Sequence, residues 1–307
     1  MNVLIIGLGS IARKHVSALR SLPLDFKIFA LRSSTQADKF HDVVNLFDLD
    51  DKSLVFDFAI ISAPTHLHYQ YIELLSKKSI PLFIEKPAVH KLDKVDELLC
   101  LVSEKQLTTY VACNLRFHPC LLFLKNKLNY EKLRINELNI YCGSYLPDWR
   151  SEKDFKKIYS ANASMGGGVH LDLFHELDYV TWLFGFPESS NSITRNVSSL
   201  GINAIDYANY TLEYNSFTAS IILNYYRKKP KREIEIVLEN TTWTIDLISN
   251  TIKNDIGDYL FRCDEFQVKD TYKDQLIYFT ECLKKKRTPM NSFKESLENL
   301  KICLHNE

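Results

Sequence analysis

The chain has 307 residues, of which 46% are hydrophobic and 25% charged, and this balance is that of a globular protein with a full core. Its 38 basic and 38 acidic residues cancel to a formal net charge of zero, which argues against a nucleic-acid partner held by phosphate neutralisation. The seven cysteines are scattered and include no CxxC pair, so they indicate reduced thiols and a cytoplasmic protein. No basic region precedes the first apolar run and no run reaches membrane-spanning length, so we expect neither a signal peptide nor a membrane segment.

The chain begins with the pattern of a strand, a glycine turn and a helix. Residues 2–6 form an apolar run, and residues 10–22 have helical periodicity. Gly7 allows a tight turn, and Gly9 lets the main chain approach a pyrophosphate at the helix N-terminus. Ala12 is small enough for the helix to pack closely on the strand. The cofactor-binding residues predicted here are Gly7, Gly9, Ser10, Ile11 and Ala12. The alternative is a tight turn in an α/β protein that binds no nucleotide.

The second strand, predicted over residues 26–31, ends where the ribose of the cofactor should lie. NAD-binding proteins usually place an acid there, about 20 residues past the glycines, to hold the 2′-hydroxyl. This chain has Arg32, Ser33 and Ser34 instead. Because an arginine can pair with a 2′-phosphate, we predict NADP as the cofactor, with NAD as the alternative. The competing interpretation of Arg32 is an exposed arginine in a loop.

Two further strands are predicted to end in the same crevice. Residues 57–62 form a continuous apolar run, as expected of a parallel strand buried on both faces, and residues 81–84 form another. Ligands of such sheets bind beyond the carboxyl ends of the strands, so the segments that follow should contact the cofactor. They contribute Ala63, Pro64, Thr65 and His68 after the first strand, and Glu85 and Lys86 after the second. We prefer a helix-start role for His66 and His68 over a metal site, because no acid or cysteine completes a ligand set nearby.

The alternation of strands and helices ends after a predicted strand at residues 108–113. We therefore place a domain boundary shortly after it. Residues 1–119 are predicted to form a dinucleotide-binding domain, and residues 120–307 a domain for substrate binding and oligomerisation.

The second half has the pattern of a large antiparallel sheet. Strand-like segments lie at residues 135–142, 192–200, 204–214, 217–226, 233–238 and 243–247, and hairpin turns are predicted at Asn215-Ser216 and Asn240-Thr241. One face should cover the core. The other face is predicted to pack on a partner subunit and to carry Tyr207, Asn209, Thr211 and Tyr225.

Three helices and one basic cluster complete the second half. One long helix is predicted to open at glycines 166–168 and to reach about residue 184. Two helices close the chain, and the second begins with a capping-box pattern at residues 292–295. A basic hairpin turn is the favoured interpretation of Lys228, Lys229, Lys231 and Arg232, with a phosphate contact as the alternative.

Two groups are candidates for acid–base chemistry. Lys86 lies at the carboxyl end of a strand in the cofactor crevice. On the long helix, Asp172 and His175 are three residues apart, which places them on one helical face. Histidine transfers protons near neutral pH, and Asp172 would orient it. A surface ion pair or a helix cap is the competing interpretation of this pair.

Four motifs occur in order along the chain. They are Gly7-x-Gly9-x-x-Ala12-x-x-His15, Ala63-Pro64-Thr65-x-x-His68, Glu85-Lys86-Pro87 and Gly166-Gly-Gly…Asp172-x-x-His175-x-x-Asp178. Together they resemble the Gfo/Idh/MocA oxidoreductases, the family of glucose–fructose oxidoreductase and inositol dehydrogenase. The resemblance implies an α/β protein with an N-terminal Rossmann domain and a C-terminal α+β domain that has a large, mainly antiparallel open sheet. It also implies homodimers or homotetramers formed through that sheet, and sugars, polyols or nucleotide sugars as substrates.

By this resemblance, Lys86 matches the catalytic lysine and His175 the acid–base histidine. Asp172 matches the family aspartate, although many members space these two by four residues rather than the three found here. Asn114 lies where the family contacts the cofactor. The residues expected to contact substrate are Arg116, Trp149, Arg150, Tyr159 and His175. The stretch around Trp149 looks like that of a subgroup found with bacterial surface-sugar genes.

The expected activity is that of a dehydrogenase acting on CH–OH groups. His175 would take the proton of a substrate secondary alcohol while hydride moves to the nicotinamide, and Lys86 would stabilise the developing alkoxide. One alternative is a non-catalytic, dinucleotide-sensing regulator of the same fold. Another is an aldose–aldose oxidoreductase that never releases its cofactor. The presence of both Lys86 and His175 favours the enzyme.

Overall fold

The structure is a computed structural model that describes residues 1–34, 40–51 and 53–304. It contains two compact units: unit 1 comprises Met1–Asn114 and Lys269–Glu298, and unit 2 comprises Leu115–Val268 and Asn299–Glu307. No helix in the described ranges combines the length and the apolar character needed to cross a bilayer.

Unit 1 is built on a six-stranded parallel sheet. Its strands are β1 (Asn2–Ile6), β2 (Lys27–Leu31), β3 (Val43–Leu46), β4 (Phe58–Ile61), β5 (Leu82–Ile84) and β6 (Thr109–Val111), and its first helices are α1 (Ser10–Arg20), α2 (His68–Lys77) and α3 (Val95–Glu104). The strand order is β3-β2-β1-β4-β5-β6, with every pairing parallel. The order reverses beside β1, which opens a crevice at the carboxyl ends of β1 and β4. The predicted Rossmann sheet is confirmed. The edge strand β3 escaped prediction because it has only four residues, none of them buried, and shows no apolar periodicity.

Unit 2 is built on an eight-stranded sheet. Its strands are β7 (Ile135–Tyr145), β8 (Ser189–Arg195), β9 (Tyr207–Glu213), β10 (Thr218–Asn224), β11 (Tyr226–Leu238), β12 (Thr242–Asp246), β13 (Thr251–Lys253) and β14 (Tyr259–Arg262), and its helices are α4 (Pro119–Tyr130), α5 (Val169–Asp172) and α6 (His175–Phe184). The order is β14-β13-β12-β11-β7-β10-β9-β8, and only the pairing of β7 with β10 is parallel among the described strands. The mainly antiparallel sheet is confirmed. So are the two hairpins, since Glu213 pairs with Thr218 and Val237 with Thr242.

Two predictions about residues 225–232 are wrong. Tyr225 does not lie on the open face of this sheet: β10 ends at Asn224, and the Tyr225 side chain is fully buried. The basic residues 228–232 form no hairpin turn but lie inside the long strand β11. Arg232 points to the covered face, where its guanidinium binds the carboxylate of Glu176 with N···O distances of 2.6 and 3.1 Å. A buried carboxylate needs a cationic partner, and sequence periodicity does not reveal which residue supplies it.

The predicted long helix is interrupted. α5 ends at Asp172 and α6 begins at His175, with Leu173 leaving helical geometry at φ −98° and ψ 31°. Leu173 and Phe174 are both buried, so the break turns two apolar side chains into the core. Asp172 and His175 therefore do not share the face of one continuous helix, contrary to the prediction.

The last two helices are α7 (Asp270–Lys285) and α8 (Phe293–Cys303). α7 belongs to unit 1, because Phe279 packs edge-on against Phe58 of β4 at 5.4 Å and Phe83 of β5 at 5.6 Å between ring centroids. A parallel sheet must be covered by helices on both faces, and α7 supplies part of that cover. The division of the chain therefore differs from the predicted single boundary, because residues 269–298 return to the first unit.

The predicted capping box before α8 is confirmed. The hydroxyl of Ser292 accepts from the backbone N–H of Glu295 at 3.3 Å, and the carboxylate of Glu295 accepts from the backbone N–H of Asn291 at 3.0 Å.

Candidate active site

The turn between β1 and α1 contains two glycines, and the physical reason for having glycine differs between the two positions. Gly7 has φ +79°, and a Cβ on it would lie 3.2 Å from the Cα of Ala63, so the fold itself requires glycine. Gly9 has an ordinary φ of −79°, and a Cβ on it would meet no protein atom within 4 Å. The space above Gly9, at the N-terminus of α1, fits the pyrophosphate of a dinucleotide. Ala12 is fully buried, as close packing of α1 on the sheet requires.

Matched substitutions at the two glycines should separate binding from folding. We expect Gly9→Val to weaken NADPH binding at least about tenfold, or about 1.4 kcal/mol, with an unchanged midpoint of urea unfolding. Gly7→Ala should instead lower the free energy of unfolding by about 1–3 kcal/mol, because alanine is strained at positive φ. Nicotinamide fluorescence and urea titrations measure the two effects. Full NADPH affinity in Gly9→Val would show that the cofactor does not use this space.

Arg32 is held at the end of β2. Its backbone N–H donates to the carbonyl oxygen of Leu46 at 2.8 Å, and its guanidinium donates to the side-chain oxygen of Asn45 at 3.3 Å. The Arg32 side chain is half-buried, whereas Ser33 and Ser34 are exposed. The arginine is thus oriented rather than loose at the position where a 2′-phosphate is predicted, and its binding role stays a prediction.

One prediction about His68 is confirmed and the other is corrected. His68 begins α2, which confirms the helix-start role. Its ring is buried, however, with Nε2 2.9 Å from the carbonyl oxygen of Ala63 and Nδ1 3.1 and 3.2 Å from those of Pro87 and Ala88. Burial lowers the pKa of His68, against the opposing effect of these carbonyl oxygens. Both ring nitrogens face main-chain carbonyl oxygens and His68 is only 1% exposed, so we assign His68 to loop packing and not to direct cofactor contact. In the same segment Thr65 is buried and Pro64 exposed.

The Glu-Lys-Pro segment follows β5 directly. Glu85 accepts a hydrogen bond from Nε2 of His15 on α1 at 2.5 Å, and His15 is fully buried. The His15 ring is packed edge-on by Phe83 at 5.1 Å. Lys86 is half-buried, and the peptide bond that follows it is cis. Sequence reasoning gave His15 no role, although its place on the apolar face of α1 was a signal, because a polar residue there needs a buried partner.

In unit 2, Asp172 is bound by a residue that sequence reasoning assigned elsewhere. The hydroxyl of Tyr225 donates to the Asp172 carboxylate at 2.5 Å. The Tyr225 ring is packed edge-on by Trp149 at 5.3 Å, and the Trp149 indole N–H donates to Ser144 at 2.8 Å. Burial, followed by the charge of Asp172, raises the pKa of Tyr225. Trp149 and Asp172 are thus brought together through Tyr225, and no sequence pattern identified this residue.

The remaining candidates in unit 2 lie in different settings. Arg150 is exposed, and His175 is half-buried at the start of α6. Tyr159 donates from its hydroxyl to the carbonyl oxygen of Gly166 at 2.8 Å, which ties it to the glycine segment before α5.

Arg116 is not available to a substrate. Its side chain is fully buried, and its guanidinium forms a bidentate pair with Asp178, with N···O distances of 2.9 and 2.8 Å. We therefore correct its predicted substrate contact to a structural role in unit 2.

Asn114, in unit 1, is buried. Its side-chain amide donates to the hydroxyl of Thr271 at 2.8 Å, and its cofactor role stays a prediction. Within residues 1–34, 40–51 and 53–304, no group of histidine, cysteine and acidic side chains is arranged to hold a metal ion.

Comparison with known proteins supports this picture. A family model for GFO_IDH_MocA, an oxidoreductase family with an NAD-binding Rossmann fold, matches residues 1–113. Among curated proteins, the scyllo-inositol 2-dehydrogenase (NADP(+)) IolW of Bacillus subtilis (strain 168) is 23% identical over 198 residues, which cover 63% of this chain and 53% of IolW. The chain thus spans about half the length of this curated relative.

Solved structures show the same fold over nearly the whole chain. The UDP-N-acetylglucosamine 3-dehydrogenase GnnA of Acidithiobacillus ferrooxidans has a TM-score of 0.78 at 17% identity, with 99% of this chain and 96% of GnnA covered. Levoglucosan dehydrogenase, in complex with NADH and levoglucosan, has a TM-score of 0.83 at 14% identity, with 99% of this chain and 95% of that protein covered. Residues 1–113 therefore match the model of the Gfo/Idh/MocA oxidoreductase family, and over the whole chain the likeness to the solved structures shows the fold.

Proposed function

We propose that this protein is an NAD(P)-dependent oxidoreductase that transfers hydride between a nicotinamide cofactor and a secondary alcohol or ketone of a sugar, polyol or nucleotide sugar. The observation that carries the proposal is the open space above Gly9, at the N-terminus of α1 and the switch point of a parallel sheet. The substrate class is supported by the relatives, which act on an inositol, on UDP-N-acetylglucosamine and on levoglucosan. The resemblance to a surface-sugar subgroup favours a nucleotide sugar among these.

Two side chains are proposed to carry the chemistry. When bound, the nicotinamide supplies or accepts the hydride. His175, half-buried at the first position of α6, is the proposed acid–base group for the substrate hydroxyl. Lys86, at the carboxyl end of β5, is the proposed cation that stabilises charge on the reacting oxygen. Asp172, held by the Tyr225 hydroxyl, is proposed as the carboxylate that orients His175.

The direct test is an assay of nicotinamide absorbance with NADP+ or NAD+ and a panel of substrates. The panel contains UDP-N-acetylglucosamine, scyllo-inositol, levoglucosan and simple aldoses, with the corresponding ketones for the reverse direction. Turnover of one class and not the others would identify the substrate class. Cofactor binding without turnover of any panel member would contradict the proposal and favour a dinucleotide-sensing regulator.

The proposed preference for NADP rests on Arg32 and gives a quantitative expectation. Arg32→Ala should weaken NADPH binding about 10- to 100-fold, because a charge-assisted hydrogen bond contributes about 1.5–3 kcal/mol. NADH binding should change less than about twofold, since NADH has no 2′-phosphate. Arg20→Ala, at the other end of α1, is the matched control. Equal losses for both cofactors would show that Arg32 does not read the phosphate.

We propose further that the protein forms a homodimer or homotetramer through the open face of the unit 2 sheet. A cross-strand row on this face joins Ile193, Asn209, Ile222 and Tyr141, and Ile193 is 57% exposed. Such half-apolar rows are typical of protein surfaces that pair with a second subunit.

We also propose a cytoplasmic location. It is supported by the seven cysteines, all within the described ranges, because no disulfide joins any two of them.

A further inference from the structure

The His68 ring lies between two loops of unit 1. One loop follows β4 and contributes the carbonyl oxygen of Ala63, 2.9 Å from Nε2. The other follows β5 and contributes the carbonyl oxygens of Pro87 and Ala88, 3.1 and 3.2 Å from Nδ1. The second loop begins with Lys86, so the contacts of His68 lie immediately after the proposed catalytic lysine.

The main chain before Lys86 is anchored as well. The carboxylate of Glu85 is held by His15 of α1 at 2.5 Å, and His15 is fully buried. Lys86 is therefore flanked on both sides by residues that a buried imidazole holds. The first imidazole, that of His15, belongs to α1, and the second, that of His68, belongs to α2.

The loop after β4 connects this arrangement to the glycine turn. A Cβ on Gly7 would lie 3.2 Å from the Cα of Ala63, so the two segments are in close contact. Because Nε2 of His68 lies 2.9 Å from the carbonyl oxygen of that same Ala63, a continuous set of contacts runs from Gly7 through Ala63 and His68 to Pro87.

Imidazole suits this position for a chemical reason. A single rigid ring reaches the carbonyl oxygens of both loops, and the one N–H of a neutral imidazole donates on one side while the other edge of the ring packs against the opposite loop. A buried carbonyl group needs a hydrogen-bond partner, and the single ring N–H supplies one from a side chain that is 1% exposed. That burial leaves no surface of His68 for a ligand.

We propose that His68 is a positioning residue that sets the place of Lys86, by tying the main chain after β5 to the loop after β4 and so to the glycine turn. The consequence for catalysis rests on the proposed role of Lys86. The tie itself is independent of that role, and the experiment measures the two separately.

The test compares three variants. His68→Phe keeps a planar ring but removes both nitrogens. His68→Gln keeps one amide that can still donate to a carbonyl oxygen. His118→Phe is the matched control, because His118 is a fully buried histidine of unit 2 whose Nε2 lies 3.3 Å from the carbonyl oxygen of Leu247. Hydrogen exchange by mass spectrometry, NADPH binding and steady-state kinetics are measured for all three.

We expect His68→Phe to accelerate amide exchange about tenfold in peptides covering residues 63–67 and 85–90. With the substrate found for the wild type, kcat should fall about tenfold or more while NADPH affinity stays within about threefold. His68→Gln should recover part of both effects, and His118→Phe should leave residues 85–90 unchanged. If His68→Phe does not fold, the intermediate exchange expected of His68→Gln remains the test.

Exchange at residues 85–90 that stays within about twofold of wild type in a folded His68 variant would overturn the tie. Faster exchange with unchanged kcat would overturn its role in placing Lys86. If amide exchange is faster in His68→Phe but the wild type turns over no substrate, the tie stands and only the proposed function is contradicted.

Discussion

Replacing His175 with alanine is expected to lower kcat by about 10²- to 10⁴-fold, and Lys86→Ala by about 10²- to 10³-fold. The first change removes the proposed proton acceptor, and the second removes a cation from the oxygen on which charge develops. NADPH affinity should stay within about threefold of wild type in both variants, because the glycine turn and Arg32 are untouched.

Steady-state assays and nicotinamide fluorescence measure these two quantities on the same preparations. Lys77→Ala and His41→Ala are matched controls, because both replace exposed side chains that form surface ion pairs, with Glu73 and Asp42 respectively. Turnover close to wild type in His175→Ala or Lys86→Ala would remove that residue from the proposed chemistry.

The second large effect is expected on stability. Arg116→Met should lower the free energy of unfolding of unit 2 by about 3–5 kcal/mol, because it leaves the Asp178 carboxylate buried without its cation. The two side chains are 0% and 1% exposed, so water cannot replace the lost partner. The double variant Arg116→Met/Asp178→Leu should recover much of the loss, since removal of both charges also removes the desolvation cost.

Urea unfolding followed by tryptophan fluorescence is well suited to this test. All three tryptophans, Trp149, Trp182 and Trp243, lie in unit 2, so their signal reports on that unit. Glu131→Gln is the control in the same unit: it breaks an i,i+4 pair with Lys127 whose side chains are 44% and 37% exposed, and it should cost less than about 0.5 kcal/mol. A loss below about 1 kcal/mol in Arg116→Met would show that the buried pair is not needed.

Local patterns predicted a large part of the fold. The strand–glycine–helix opening, the apolar strand Phe58–Ile61, the two hairpin turns and the capping box at Ser292 are all present in the structure. Each depends on neighbours within a few residues, through main-chain conformation, periodicity or a capping hydrogen bond. The interruption at Leu173 was missed because it depends on burial of Leu173 and Phe174, which helical periodicity does not reveal.

The candidate site divides in the same way. Gly7, Gly9, Arg32 and Lys86 were predicted from their places at strand ends, where the order of a parallel sheet puts a ligand; the structure has them after those strands, and their binding roles stay predictions. Arg116 and His68 were named from sequence as ligand contacts, yet the structure buries both. Tyr225 was assigned to the open sheet face, whereas it binds Asp172. Sequence position predicts which strand end a residue occupies, but not what its side chain meets there.

By itself, the amino-acid sequence determined the parallel sheet with its strand–glycine–helix opening and the antiparallel character of the second half, because these follow from local conformation and alternation. Only the tertiary structure decided that α7 covers the first sheet, that Arg116 serves Asp178, and that His15 and His68 hold the chain around Lys86. For two of these contacts the physical reason is distance along the chain, because the partners are separated by 62 residues for Arg116 and Asp178 and by 70 for His15 and Glu85. A buried charge or carbonyl must find a partner, but which partner it finds is set by packing that no local pattern encodes.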